Sequence, residues 1–218
     1  MKIHREGYSI IVGAAVIAGL LTFVEFRFMN SLYFILPLTV ILVLLVTFLV
    51  CFFRVPKRQH IPGDKVVTSV ADGRIVIKEK VFEDEYFHEE RLQVSVYMNF
   101  FDVHVNFWPA DGELNYYKYH PGKYNLAYLP KASDDNEHSS IVVKTNGGQE
   151  IMFRQIAGMF ARRVVTYGKP GDKVVKASQC GVIKFGSRID MFLPLDADIK
   201  VDIDDEVKAC ITIIAELS

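Results

Sequence analysis

Between positions 32 and 53 no residue is charged. As a helix, a run of that length can cross a hydrocarbon core of roughly 30 Å, and no other feature restricts the fold as strongly. Pro37 lies near its start, where a membrane helix tolerates a kink. A shorter apolar stretch at 10–24 precedes it and contains Gly13 and Gly19. Only residues 25–31 separate the two, with Glu25 and Arg27 as their charges. The spacing predicts a membrane hairpin over residues 1–55, built from apolar helices at 10–24 and 32–53.

Basic residues flank both outer ends of this hairpin: Lys2 and Arg5 before it, Arg54, Lys57 and Arg58 after it. The connecting turn carries one acid and one base. The positive-inside bias then puts both ends, and the domain that follows, on the cytoplasmic face of the cell (inner) membrane. Two alternatives stay open. A signal peptide followed by an anchor would need a small-residue cleavage site, and none follows Val24. A hairpin dipping into one leaflet is compatible with the short first helix.

The chain of 218 residues has room for one further domain of ordinary size. Its formal net charge of −1 gives no basic field for a nucleic-acid partner. Cys51, Cys180 and Cys210 are too few and too scattered for a disulfide framework or a cysteine-based zinc site. Cys180 and Cys210 read as small buried hydrophobes in a reducing compartment.

Residues 56–64 form a polar linker containing Pro62-Gly63, and the domain proper is expected over 62–218. There the pattern changes to short β-type runs punctuated by turn residues. Runs at 66–70 and 75–78 flank Asp72-Gly73, a strong hairpin signal. Leu92, Val94 and Val96 alternate with polar neighbours as in a half-buried strand. Further β-like runs cover 141–144, 150–153, 163–167, 181–185 and 209–214, and Asn146-Gly147-Gly148 marks a tight turn. Only 155–162 reads as briefly helical. The expected fold is mostly β, a sandwich or partly closed barrel, behind the helical hairpin.

Three places could carry chemistry. Asp72 lies in Ala71-Asp72-Gly73, a triplet repeated at 110–112, where Asp-Gly reads first as a turn. In the run 102–106, an extended backbone would put Asp102, His104 and Asn106 on one face, lining a cleft, and Val103, Val105 and Phe107 on the other. His104 there is a natural proton shuttle or a structural histidine. No second histidine lies at a helpful spacing, so no metal site is expected. Gly186-Ser187-Arg188 joins two β-like runs and lacks the Gly-x-Ser-x-Gly elbow of common hydrolases.

Taken together the chain resembles the phosphatidylserine decarboxylase family in its short, membrane-associated bacterial form. The segments carrying the resemblance are Ala71-Asp72-Gly73, Val103-His104-Val105-Asn106, Pro121-Gly122-Lys123-Tyr124, Asn136-Glu137, 157–163 and 181–188. The last, ending Phe185-Gly186-Ser187-Arg188, is the most specific. The resemblance implies a proenzyme that cuts itself between Gly186 and Ser187. Ser187 would attack the Gly186 carbonyl, with His104 as general base and Asp72 orienting the imidazole. The ester would break by β-elimination, and Ser187 would end as a covalent pyruvoyl cofactor. Its ketone would accept the electrons released as phosphatidylserine in the bilayer loses CO2. The mature enzyme would be a heterodimer of its own α and β chains, with homo-oligomers left open.

One position departs from the family. Longer members carry a second histidine three residues before the triad histidine, where this chain has Phe101. The proton donor for decarboxylation is then His104, another side chain or water. Arg162, Arg163 and Arg188 are candidates for the head-group phosphate; each could equally be a surface charge or a partner of Asp190. Two competing readings stay open. Ser187, His104 and Asp72 could be a plain serine hydrolase triad. The domain could instead be a lipoyl-like carrier, given Lys173 beside the turn Gly171-Asp172.

Overall fold

The computed structural model describes residues 2–28, 32–123, 125, 135–158, 163–184 and 187–218. The chain divides into two compact units, Met1–Lys57 and Arg58–Ser218.

In the first unit, β1 (Lys2–Ile3) leads into α1 (Arg5–Phe28), and α2 (Leu32–Phe52) ends in β2 (Arg54–Val55). The helix α1 outruns the apolar stretch at both ends. Glu6 in its first turn and Arg27 in its last complement the helix dipole, so these polar turns stay helical. Its 24 residues span about 36 Å at 1.5 Å per residue. Both helices are therefore long and apolar enough to cross a bilayer, and they point to membrane association. The two ends of the hairpin meet: Lys2 pairs with Val55 and Ile3 with Arg54. A Cβ at Gly7 would collide with the Phe53 ring, so glycine is what lets the helix ends approach there.

The elements that follow in the second unit are all β-strands. It comprises β3 (Val66–Thr68), β4 (Gly73–Glu83), β5 (Glu89–Met98), β6 (Val105–Phe107), β7 (Gly112–His120), β8 (His138–Thr145) and β9 (Glu150–Ala157). Then come β10 (Val164–Thr166), β11 (Lys173–Val174), β12 (Gln179–Ile183), β13 (Ser187–Leu193), β14 (Asp198–Ile199), β15 (Glu206–Val207) and β16 (Ile213–Glu216). Eight strands form one curled half-barrel sheet in the order β11-β7-β8-β9-β13-β5-β4-β15. Two three-stranded sheets, β10-β12-β6 and β14-β16-β3, complete the unit. Cys180 and Cys210 are both buried and free, as small apolar residues would be.

Strand β13 is central, and every one of its residues is buried. Its side chains alternate between two interiors. Ile189, Met191 and Leu193 enter the main core with Val94, Val96 and Phe153. Arg188, Asp190 and Phe192 face the other side, where Phe192 packs with Val142 and Met152 under Tyr86 and Phe87 of the β4–β5 connection. Apolar pattern alone does not announce this second interior, because half of it is charged.

Several local expectations are corrected. Asp72-Gly73 closes no hairpin: β3 pairs with β16, and β4 with β5, so the dipeptide links two sheets. A Cβ at position 73 would collide with the Tyr97 carbonyl, so glycine serves close packing of strands there. Residues 155–157 end β9 instead of starting a helix, and 159–162 lie outside the described residues. Residues 209–212 form a turn before β16. The turn at 146–148 is present, with Gly148 at φ 89° and its N–H donating to the Thr145 carbonyl.

Candidate active site

Ser187 opens β13 between Met98 of β5 and Ala157 of β9. Its side chain is fully buried and its hydroxyl donates to the Met98 sulfur at 3.1 Å. A thioether is a weak acceptor, so the hydroxyl is placed without being strongly held. Asn106 Nδ2 approaches the same sulfur at 3.9 Å, beyond which Gln155 donates to Asn106 Oδ1 at 2.8 Å. Ser139 and Thr166 both donate to Gln155 Oε1. A largely buried polar chain thus runs from four strands toward Ser187.

His104 immediately precedes β6 and is also fully buried. The Ile183 N–H donates to its carbonyl, so the segment leading to Ser187 departs from beside this residue. Its Nδ1 lies 3.0 Å from the Asp102 carbonyl oxygen. Because that partner only accepts, Nδ1 carries the proton and Nε2 of the neutral ring keeps its lone pair. Asp102 itself sits in a bend, and the strand begins only at Val105. The expected cleft-lining face is thus corrected: His104 and Asn106 point into the interior.

Asp72 is held by two neighbours. Arg58 Nη2 donates to both carboxylate oxygens at 2.6 Å, and the Ala209 N–H donates to Oδ1 at 2.8 Å. Both side chains of the ion pair are largely buried. Asp72 and Asp102 line one small cavity of about 140 Å³. Burial pushes the nearby Cys210 thiol up to about 12, with Arg58 opposing and Asp72 adding to the shift. That thiol is therefore no nucleophile near neutral pH.

Two kinds of comparison bear on this arrangement. A profile of the family described as phosphatidylserine decarboxylase matches residues 45–215. The chain belongs to that family. A protein named phosphatidylserine decarboxylase proenzyme from Amoebophilus asiaticus is 43% identical over all of this chain and 97% of its own length. Proteins of the same name from Cytophaga hutchinsonii and Porphyromonas gingivalis are 42% and 40% identical. The first of these alignments covers 99% of both chains, the second 100% of this chain and 99% of the relative.

Other segments that carry the phosphatidylserine decarboxylase resemblance converge on Ser187. Asn136 Nδ2 donates to the Ala157 carbonyl at 2.7 Å and to the Asn125 carbonyl at 2.8 Å. The Val164 N–H donates to Glu137 Oε1, and Lys123 and Glu137 exchange a backbone bond. Gly122 presses on the Asn136–Glu137 backbone where no Cβ would fit. The Asn-Glu pair therefore ties three segments together at the end of β9, one strand from Ser187.

Of the three arginines, Arg188 is fully buried with Asp190, its Nε 2.7 Å from Oδ1 and its Nη2 bonded to Oδ2 at 3.0 Å. Arg163 is exposed. Burial of the Tyr119 hydroxyl, then the Glu137 carboxylate bonded to it, push that phenol up, while Arg163 opposes the shift from close by. Arg162 and Gly186 lie outside the described residues. Lys173 stands in edge strand β11 opposite Glu113, past the turn instead of at its tip. Arg58 and Met98 escaped sequence reasoning: Arg58 reads as a membrane flank, and nothing in the sequence couples Met98 to a residue 89 positions on.

Proposed function

We propose that this chain is a proenzyme that cuts itself between Gly186 and Ser187 and decarboxylates phosphatidylserine to phosphatidylethanolamine and CO2. The observation that carries the reading is the buried Ser187 hydroxyl at the head of β13, beside the segment that carries His104, whose Nδ1 lies 3.0 Å from the Asp102 carbonyl oxygen.

His104 Nε2 takes the hydroxyl proton as Ser187 Oγ attacks the Gly186 carbonyl carbon. The C–N bond between Gly186 and Ser187 breaks, and an ester replaces the amide. Loss of the α-proton of residue 187 then expels the Gly186 carboxylate. One water replaces the nitrogen, which leaves as ammonia. The arrangement fits a ketone at residue 187, since a thioether and a methyl flank it and burial keeps bulk water away. That pyruvoyl group would supply the electron sink for loss of CO2.

The Asp102 carbonyl meets His104 Nδ1, and Asp72, held by Arg58, is the acid assigned to orient the imidazole. Arg163 is the cation best placed to meet the head-group phosphate, since Arg188 is spent on Asp190. With phenylalanine at position 101, His104 or water returns the proton after CO2 leaves. The two chains would stay together without a peptide link. The strands after the cut, β13, β15 and β16, pair with β5, β9, β4 and β3 of the larger piece.

The test is the mass of the polypeptides in purified wild-type protein. Two chains are expected, residues 1–186 and a piece from position 187 to Ser218 that resists Edman degradation and reacts with hydrazines. A single intact chain would favour a hydrolase, and an acylated Lys173 a carrier. An ordinary serine at the new N-terminus would overturn the pyruvoyl assignment.

The catalytic domain is proposed to face the cytoplasm. Arg58 is committed to Asp72, yet Lys2, Arg5, Arg54 and Lys57 still flank the hairpin ends. Single cysteines placed on exposed loops of the domain are expected to resist an impermeant maleimide in intact cells. Labelling from outside would reverse the orientation.

A further inference from the structure

We propose that Glu85, His120 and His138 form a binding site for a divalent metal ion of the zinc class, which clamps the tip of the β4–β5 hairpin onto the β7–β8 hairpin. The site goes beyond the self-cleavage reading and does not depend on it. One ligand atom from each residue lies within 4.8 Å of the other two. His120 and His138 face each other across the β7–β8 register, and Glu85 reaches them from the connection between β4 and β5. Two imidazoles and one carboxylate suit zinc better than magnesium or calcium, which favour all-oxygen sets.

The surroundings are those of a supported site. His138 Nδ1 donates to the Asn136 carbonyl at 2.7 Å, an outer contact typical of metal-bound histidine, and this leaves Nε2 of the neutral ring as a donor of its lone pair. The second oxygen of Glu85 accepts from the Ser140 hydroxyl at 2.6 Å and from Arg154 at 3.1 Å, so the carboxylate is fixed. Tyr116 donates to the first oxygen at 3.2 Å. Charge argues the same way. Glu83, Glu85, Glu150 and Asp190 face Arg91, Arg154 and Arg188 on this side of the sheet, four carboxylates against three guanidiniums. A buried imbalance of this sign favours an added cation.

Without an ion, His120 Nε2 bonds Glu85 Oε1 at 2.7 Å and the two rings stack at 4.4 Å and 15°. Parallel rings do not aim their lone pairs at one point. Ligation therefore needs the His120 ring, a quarter exposed, to tilt and trade its direct bond to Glu85 for a shared metal. The same exposure gives the ion a way in and leaves a fourth position for water.

The test uses full-length protein in detergent, free of tag histidines, titrated with Co²⁺. Wild type is expected to take up one equivalent with visible d–d absorption of a nitrogen–oxygen site, displaced by Zn²⁺. His120→Gln and His138→Gln should each abolish that spectrum, and Ser140→Ala should weaken binding about 10-fold or more. Zn²⁺ should raise the Tm of wild type and leave that of His138→Gln unchanged. Because a variant could fail to fold, ¹¹³Cd NMR of wild type gives a second reading, with one resonance expected in the nitrogen–oxygen range. No stoichiometric spectrum or cadmium resonance would overturn the site. So would Co²⁺ absorption that survives loss of both histidines.

Discussion

Ser187→Ala is expected to leave one uncut chain with no decarboxylase activity, and His104→Ala to come close to the same result. The serine variant removes the nucleophile while deleting only one buried oxygen, so the fold should be kept and its circular dichroism unchanged. The wild-type hydroxyl rests on a thioether sulfur, which does nothing to ionise it. It therefore needs a base, and removing a positioned base costs typically about 10²–10⁴ in rate. Maturation slowed that far should appear on a gel as a persistent precursor band. Asp111→Ala supplies the contrast. Asp111 accepts from the Lys176 N–H at 2.8 Å and lies 2.7 Å from His60 Nε2, so this second Ala-Asp-Gly anchors a turn. Losing it should cost about 0.5–1.5 kcal/mol per hydrogen bond and leave cleavage largely intact. Blocked cleavage in Asp111→Ala together with normal cleavage in Asp72→Ala would show the wrong acid had been chosen. An intact wild-type chain releasing CO2 from phosphatidylserine would sink the whole scheme.

Asp72 has partners that the sequence reading did not name. His104 Nδ1 lies 3.0 Å from the Asp102 carbonyl oxygen. The Asp72 carboxylate carries Arg58 and the Ala209 N–H. Asp72 remains the acid proposed to orient the imidazole, with Arg58 fixing its carboxylate in turn. No local pattern could expose that partnership, because Arg58 stands among the basic residues that follow the second apolar helix.

What was legible depended on the range of the interaction. The apolar helices, the alternation in β5 and the glycine turn at 146–148 are local, and each was readable from spacing or turn chemistry. Pairing across the chain was not. Asp72-Gly73 has the chemistry of a hairpin, and only the contest with β16 for β3 decides otherwise. His120 and His138 lie 18 positions apart and meet solely through the β7–β8 register, which explains why spacing gave no sign of a metal-ligand set. Ser187, His104 and Asp72 were named through resemblance; composition and periodicity left each of them with a structural alternative.

Asp190→Ala is expected to be the most destabilising single change in the catalytic unit. Arg188 and Asp190 are both wholly excluded from solvent on β13, joined by a hydrogen bond from Nη2 to Oδ2 of 3.0 Å and an ion-pair contact from Nε to Oδ1 of 2.7 Å. Removing the carboxylate takes the counter-charge of Asp190 away from a buried guanidinium, and breaking a buried pair costs about 3–5 kcal/mol. For a unit of this size each kcal/mol moves Tm by roughly 2–4 °C, so a fall of about 6–20 °C is expected in a detergent melt. The double change Arg188→Met with Asp190→Leu should recover most of it, because apolar residues of similar volume can replace such pairs at little net cost. Ser187 and Arg188 point to opposite faces of the same strand, so the double variant should also still cut itself. A folded double variant that stayed uncut would instead give Arg188 a direct part in maturation, and would explain why the arginine follows the serine in the motif.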